Sequence, residues 1–315
     1  MLRSRFLMLS CSLTLTAATF VAHGQDAAKP RHNASVVSAA RMLDVRSGRM
    51  LENVRILTED GRIKQVAHGN DAFVPAAGIA RHDLGDVTLL PGLIDMHVHI
   101  DSDPTFSGYS YLQFNDRFWS AVSVTHAQKT LMAGFTTIRN LGSDDWNDVG
   151  LQQAIDEGKV VGPRIVPAAY AFGATGGHCD STYFPPSMND RNIYNADNPE
   201  EARKSVREVR KYGAQVIKIC ATGGVFSRNT ESGQQQMTYD EMKAVVDEAK
   251  MWGIKVAAHA HGASGIREAI RAGVGTIEHA SLLDDEGIRL AKQYGAAAAD
   301  DAIAHGMLLA SQGAD

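Results

Sequence analysis

Two patterns of apolar and polar positions divide the chain. Between residues 35 and 88 the apolar positions come in short runs broken by turn residues. Val36-Val37 and Val54-Arg55-Ile56-Leu57 are such runs, and Asp60-Gly61 separates the second from Arg62-Ile63-Lys64-Gln65-Val66. An Asp-Gly pair between two such segments reads as a hairpin turn. The spacing predicts a small β-sandwich module over 25–88, incomplete and entered through a flexible stretch up to about residue 34.

From residue 89 onward the pattern changes. Helical stretches end in glycine and an apolar run follows. Gly134 precedes Thr136-Thr137-Ile138, Gly213 precedes Val216-Ile217-Lys218-Ile219, Gly253 precedes Ile254-Lys255-Val256-Ala257-Ala258, and Gly273 precedes Thr276-Ile277. Glycine accepts the left-handed conformation that closes a helix, and Thr238 with Glu241 predicts a capping box at the start of another. Strands alternating with helices imply a parallel sheet with right-handed crossovers. Six candidate strands lie near 88–98, 136–141, 164–170, 215–221, 254–259 and 275–279. This is an α/β pattern of the (β/α)8, TIM-like kind, but eight strands need ~250 residues and 89–315 supplies roughly 225. After Gly295 comes Ala296-Ala297-Ala298-Ala299-Asp300-Asp301. Alanine is a poor strand former. The expectation is a barrel cut short after about six strands, that is, C-terminally truncated.

Charge and cysteine content narrow the class. Lys and Arg number 31 against 36 Asp and Glu, a balance of −5, which gives no support for nucleic-acid binding. The chain opens with Arg3 and Arg5, an apolar stretch from Phe6 to about Ala22, and small residues at Ala22 and Gly24. This reads as a signal peptide over 1–24, leaving a periplasmic or secreted protein with no membrane association after cleavage. Cys11 after Leu9-Ser10 keeps a lipoprotein anchor as the lesser reading. Cleavage would leave Cys179 and Cys220, too few for a disulfide framework. Cys220, in an apolar run, reads as a buried small hydrophobe.

Candidate chemistry starts at Pro91-Gly92-Leu93-Ile94-Asp95-Met96-His97-Val98-His99. Residues two apart on a strand point to the same side, so both imidazoles face the barrel axis at the end where barrel sites are built. Two unrelated polar residues at a strand end are the alternative. His259 and His279 each close a further predicted strand, and four histidines at strand ends converge on one mouth, a donor set suited to Zn2+. Lys218 stands inside Val216-Ile217-Lys218-Ile219-Cys220. Burial there lowers its pKa and leaves a nucleophilic amine able to add CO2 as a carbamate; a lysine reaching out to solvent is the alternative.

These motifs resemble the amidohydrolase superfamily, and within it the imidazolonepropionase-related group that includes Xaa-Pro and Xaa-Arg/Lys dipeptidases. The resemblance rests on residues 90–99, on Lys218-Ile219-Cys220-Ala221-Thr222-Gly223-Gly224, on His259-Ala260-His261-Gly262 and on Ile277-Glu278-His279-Ala280. It implies two divalent ions, Zn2+ for preference, held by His97, His99, His259 and His279 and bridged by a carbamylated Lys218. It places His261 outside the ligand set or facing substrate. Gly173-Ala174-Thr175-Gly176-Gly177-His178 matches a family loop, so His178 is a candidate substrate contact, with a plain surface histidine as the alternative. It further implies hydrolysis of amide or peptide C–N bonds by a metal-bound hydroxide, with dipeptides as substrates and cyclic amides as the runner-up. The family's strand-eight aspartate has no match here, so a catalytically impaired fragment is the competing expectation. Partners reduce to a small-molecule or dipeptide substrate, and a homo-oligomer stays open.

Overall fold

A computed structural model describes residues 34–106 and 108–300. The expected signal segment, Cys11 and Asp301 lie outside the described residues. The chain divides into two compact units, Met1–Pro91 and Gly92–Asp315.

The first unit is built on a long hairpin. Strand β1 (Ala34–Asp44) pairs antiparallel with β2 (Arg49–Glu59), and β2 pairs antiparallel with β3 (Arg62–Ala67). At the β2–β3 turn Asp60 and Gly61 both have positive φ, 50° and 72°, the conformation a two-residue hairpin requires. β4 (Ala80–Asp83) and β5 (Thr88–Leu89) both add parallel to β1, one after the other. The described residues of this unit therefore form one five-stranded sheet, and no second layer of the expected, incomplete sandwich is seen among them. Both late strands extend the β1 edge, so neither is free to start a second layer.

The second unit alternates strand and helix throughout: β6 (Leu93–Val98), α1 (Asp116–Met132), β7 (Phe135–Asn140), α2 (Asn147–Asp156), β8 (Arg164–Pro167), α3 (Pro199–Lys211), β9 (Val216–Cys220), α4 (Tyr239–Met251), β10 (Lys255–Ala260), α5 (Ala263–Ala272), β11 (Thr276–His279), α6 (Asp285–Tyr294) and β12 (Ala297–Asp300). Every pairing is parallel, in the order β6-β7-β8 and β9-β10-β11-β12. Backbone bonds from Gln215 N–H to the Pro167 carbonyl (2.8 Å) and from Phe172 N–H to the Lys218 carbonyl (3.1 Å) stitch the two sets together. Among the described residues the strands do not close into a barrel, and no helix is long and apolar enough to cross a membrane.

β12 corrects the six-strand expectation. The alanine run pairs with β11, Thr276 opposite Ala297 and His279 opposite Asp300. Gly295 closes α6 at φ 70° and returns the chain to the open edge of β11. That edge outweighs the weak strand preference of alanine. The predicted capping box also forms: Glu241 N–H donates to Thr238 Oγ1 (3.3 Å) and Thr238 N–H to Glu241 Oε2 (2.8 Å).

The alternation of side chains on β9 sets up the site. Ile217 and Ile219 are fully buried in the main core with Met242, Ile266, Ile270 and Ile277, each such side chain contributing about 1.5–3 kcal/mol. Val216, Lys218 and Cys220 therefore point to the other face. There Val216 packs with Leu141, Ala168 and Ala257 as an apolar floor.

Candidate metal centre

Above that floor the structure gathers six imidazoles. His97 and His99 project from the end of β6 with ring centres 5.4 Å apart. His97 lies 4.9 Å from His279, and His259 at the end of β10 lies 4.6 Å from His279. His261 stacks on His279 at 4.7 Å, and His178, from the loop after β8, sits 4.1 Å from His259. All the histidines singled out in the sequence thus form one continuous cluster. Ring nitrogens of His259, His261 and His279 lie within 4.8 Å of one another, close enough to share an ion. That group includes His261, which the resemblance placed outside the ligand set.

His279 reaches the cluster by a backbone device. On β11, Ile277 points into the helix-side core, and strict alternation would send His279 the same way. His279 and Ala280 instead both adopt left-handed backbone, φ 70° and 55°, which turns the ring back toward His97 and His259. Such a conformation costs a non-glycine residue of order 1 kcal/mol and is held by Ala280 N–H, which donates to the Ala260 carbonyl at 3.1 Å. The His178 ring packs against Gly224, where a Cβ would stand 2.3 Å from it.

Four of the rings set one nitrogen against a neighbouring protein group. His99 Nδ1 faces the Gly142 carbonyl (3.1 Å) and His259 Nε2 the Gly223 carbonyl (3.1 Å). A carbonyl can only accept, so these nitrogens carry the proton and the opposite ones keep a lone pair. His261 Nδ1 meets Ser281 Oγ (2.8 Å), and His178 Nδ1 meets Ser227 Oγ (3.0 Å). Burial lowers the pKa of His97, His99, His178 and His259, to about 3 for His99 and about 4 for His178, and the charge of Lys218 adds to the shift. Lys218 is 3% exposed, which excludes the solvent-reaching alternative. Burial pulls its amine down to about 8, Arg139 adds to the shift and Glu278 opposes it.

Neutral imidazoles set a pH dependence for the metal-free protein. The unfolded chain takes up protons near pH 6.5 and the folded cluster only well below, so stability falls as pH drops through this window. We expect a loss of at least about 1.4 kcal/mol per pH unit between about pH 6 and 4, one proton's worth, read from urea midpoints. Buried Asp144 and Asp148, raised to about 6, take up protons in the folded state over the same range and oppose this loss, so the profile is read in a D144N/D148N background, where a flat line would show that the imidazoles are not desolvated.

Three features were missed in the sequence. Glu278 is fully buried and contacts His97, and Arg139 contacts Glu278; a charged residue inside each apolar strand was the available signal. Cys220 is not a lone hydrophobe: it forms a disulfide with Cys179, Cα atoms 5.7 Å apart. The bridge ties the loop that carries His178 to the strand that carries Lys218, a proximity that a separation of 41 residues hides.

The sequence pattern of the Amidohydrolase family matches residues 88–314, and the chain belongs to that family. It is 32% identical over 269 residues to the ochratoxinase of Aspergillus niger, an overlap that covers 79% of this chain and 55% of that one. The chain thus spans about half the length of the curated relatives it matches. Among solved structures it is similar to a Xaa-Pro dipeptidase with methionine bound in the active site, with 33% identity, TM-score 0.76, and 84% of this chain against 66% of the other. It is also similar to the A. niger ochratoxinase structure (28%, TM-score 0.75, 90% against 68%) and to a prolidase complexed with N-methylphosphonate-L-proline (32%, TM-score 0.74, 84% against 65%). The mixed α/β fold is accordingly that of the amidohydrolase TIM-barrel superfamily.

Proposed function

We propose that this centre holds two divalent metal ions, Zn2+ for preference, and hydrolyses the amide C–N bond of dipeptide-like substrates. The observation that carries the reading is the meeting of six imidazoles, four of them held neutral by burial, with one desolvated lysine in a single cluster. The donor set fits: lone pairs on imidazoles held by hydrogen bonds at their other nitrogen are what such ions require. His97, His99, His259 and His279 would hold the ions. Lys218, whose amine gives up its proton more readily than an exposed lysine, would add CO2 to form an N-carboxylate with release of one proton and so supply a bridging anion. Ions bound there would polarise the scissile carbonyl and lower the pKa of a water.

The residues of the chain divide the remaining work. The carbonyls of Gly142 and Gly223 orient His99 and His259. His178 and His261, each anchored by a serine hydroxyl, stand beside the ligand candidates and would contact the substrate. Dipeptides are favoured because similar structures bear the names Xaa-Pro dipeptidase and prolidase, and the ochratoxinase likeness adds ochratoxin to the panel. A disulfide persists in oxidising compartments, which supports an exported location.

The test is metal analysis followed by binding and turnover. The purified chain should retain about two equivalents of Zn2+ per chain, bind N-methylphosphonate-L-proline only when loaded, and cleave one or more Xaa-Pro dipeptides. Less than half an equivalent of metal, with no binding of the phosphonate, would reject the reading.

A further inference from the structure

Arg139 and Glu278 are charged residues inside apolar strands, and both turn inward. Arg139 is 7% exposed and Glu278 fully buried. Glu278 Oε1 accepts from Arg139 Nη2 at 2.7 Å and from Thr276 Oγ1 at 2.5 Å. The same guanidinium donates through Nη1 to Thr276 Oγ1 (3.1 Å) and through Nε to the Met96 carbonyl (2.6 Å). One side chain therefore spans from β7 to β11 and grips the peptide next to His97. The other oxygen, Glu278 Oε2, is buried without an aligned hydrogen bond and faces the Nδ1 of His97 at 3.1 Å, close enough for its charge to favour a proton on that nitrogen.

A buried ion pair is a weak source of stability, because desolvation offsets the attraction. A purely structural pair would also leave no reason for the second oxygen to face an imidazole. A carboxylate there can only accept, so it selects the ring form with the proton on Nδ1 and the lone pair on Nε2. A carboxylate behind a ligating histidine does this in metal sites generally, and its removal costs metal affinity. We propose that Arg139 and Glu278 form a buried positioning pair that fixes the tautomer and angle of His97 and so presents its Nε2 to the metal. The proposal rests on the metal reading of the cluster for its purpose, but the tautomer is a property of the metal-free protein. Arg139 acts through Glu278, and lysine cannot replace it: a single ammonium lacks the fork that reaches Met96, Thr276 and Glu278 together.

Glu278→Gln is the discriminating variant. The amide keeps the size and, through its oxygen, the bond from Arg139, but turns an N–H2 toward His97. That donor demands a lone pair on Nδ1 and moves the ring proton to Nε2. In 15N-labelled metal-free protein, the His97 signals should report Nδ1–H in the parent chain and Nε2–H in E278Q. Co2+ affinity, measured against a competing chelator, should fall about 10–100-fold in E278Q, with a changed visible spectrum. Thr276→Val, which removes one bond to the carboxylate and one from Arg139 but keeps the Arg139–Glu278 pair and the contact with His97, should stay within about threefold of the parent. R139K should weaken Co2+ binding while retaining the Nδ1–H form, since the carboxylate remains. An Nε2–H ring in the parent chain would overturn the proposal, and this arm stands even if E278Q does not fold. Parent-like Co2+ affinity and spectrum in a folded E278Q would also overturn it. A parent chain that binds no Co2+ but shows Nδ1–H would reject the metal reading and leave the positioning pair in place.

Discussion

Lys218→Met is expected to make the metal-free protein more stable and the loaded protein inactive. In the folded state the amine is brought from 10.5 down to about 8, so the unfolded chain keeps its proton more tightly than the folded one. Below about pH 8 the buried ammonium therefore opposes folding by about 3 kcal/mol, and the penalty fades as pH rises toward 10.5. Methionine fills similar volume without a charge to desolvate. Urea unfolding at neutral pH should show a gain of up to about 3 kcal/mol that disappears in alkali. Metal content should drop from about two equivalents to one or fewer, and hydrolysis by roughly 10³-fold or more, the scale of the several kcal/mol that a bound ion supplies. Loss of stability together with unchanged metal content would mean that Lys218 is a structural cation paired to Glu278.

The second large effect is expected from the disulfide. Closing a loop across 41 residues removes chain entropy worth roughly 4 kcal/mol. The double replacement C179S/C220S, or treatment with dithiothreitol, should lower the unfolding free energy by about that amount. The loss should have a local signature as well, because Cys179 follows His178 and Cys220 lies two residues beyond Lys218. Amide exchange should quicken over the loop after β8 before it quickens in β10. A change below about 1 kcal/mol would mean that the reduced chain holds the loop in place by packing alone.

The parts of this centre legible in the sequence are those written in local spacing. His97 and His99 follow from a two-residue repeat at a strand end, and Lys218 from its place within Val216–Cys220, an entirely buried strand. The parts that were not legible depend on which strands face one another. Nothing near Arg139 in sequence announces Glu278, 139 residues later. Cys179 and Cys220 meet only because β9 lies alongside the segment that follows β8. β12 was not legible for another reason: a waiting strand edge overrides the preference of three alanines. A second layer in the first unit was not legible either way, because alternation reports that a strand has two unlike faces and says nothing about what covers them.

The left-handed pair at His279 and Ala280 limits what evolution or design can write at the end of β11. A branched side chain at either site would clash with its own peptide, so valine, isoleucine and threonine are barred even where the pocket has room. A graft of this histidine onto another barrel must carry the twist with it. A flat strand with the same letters would aim the ring at the helices.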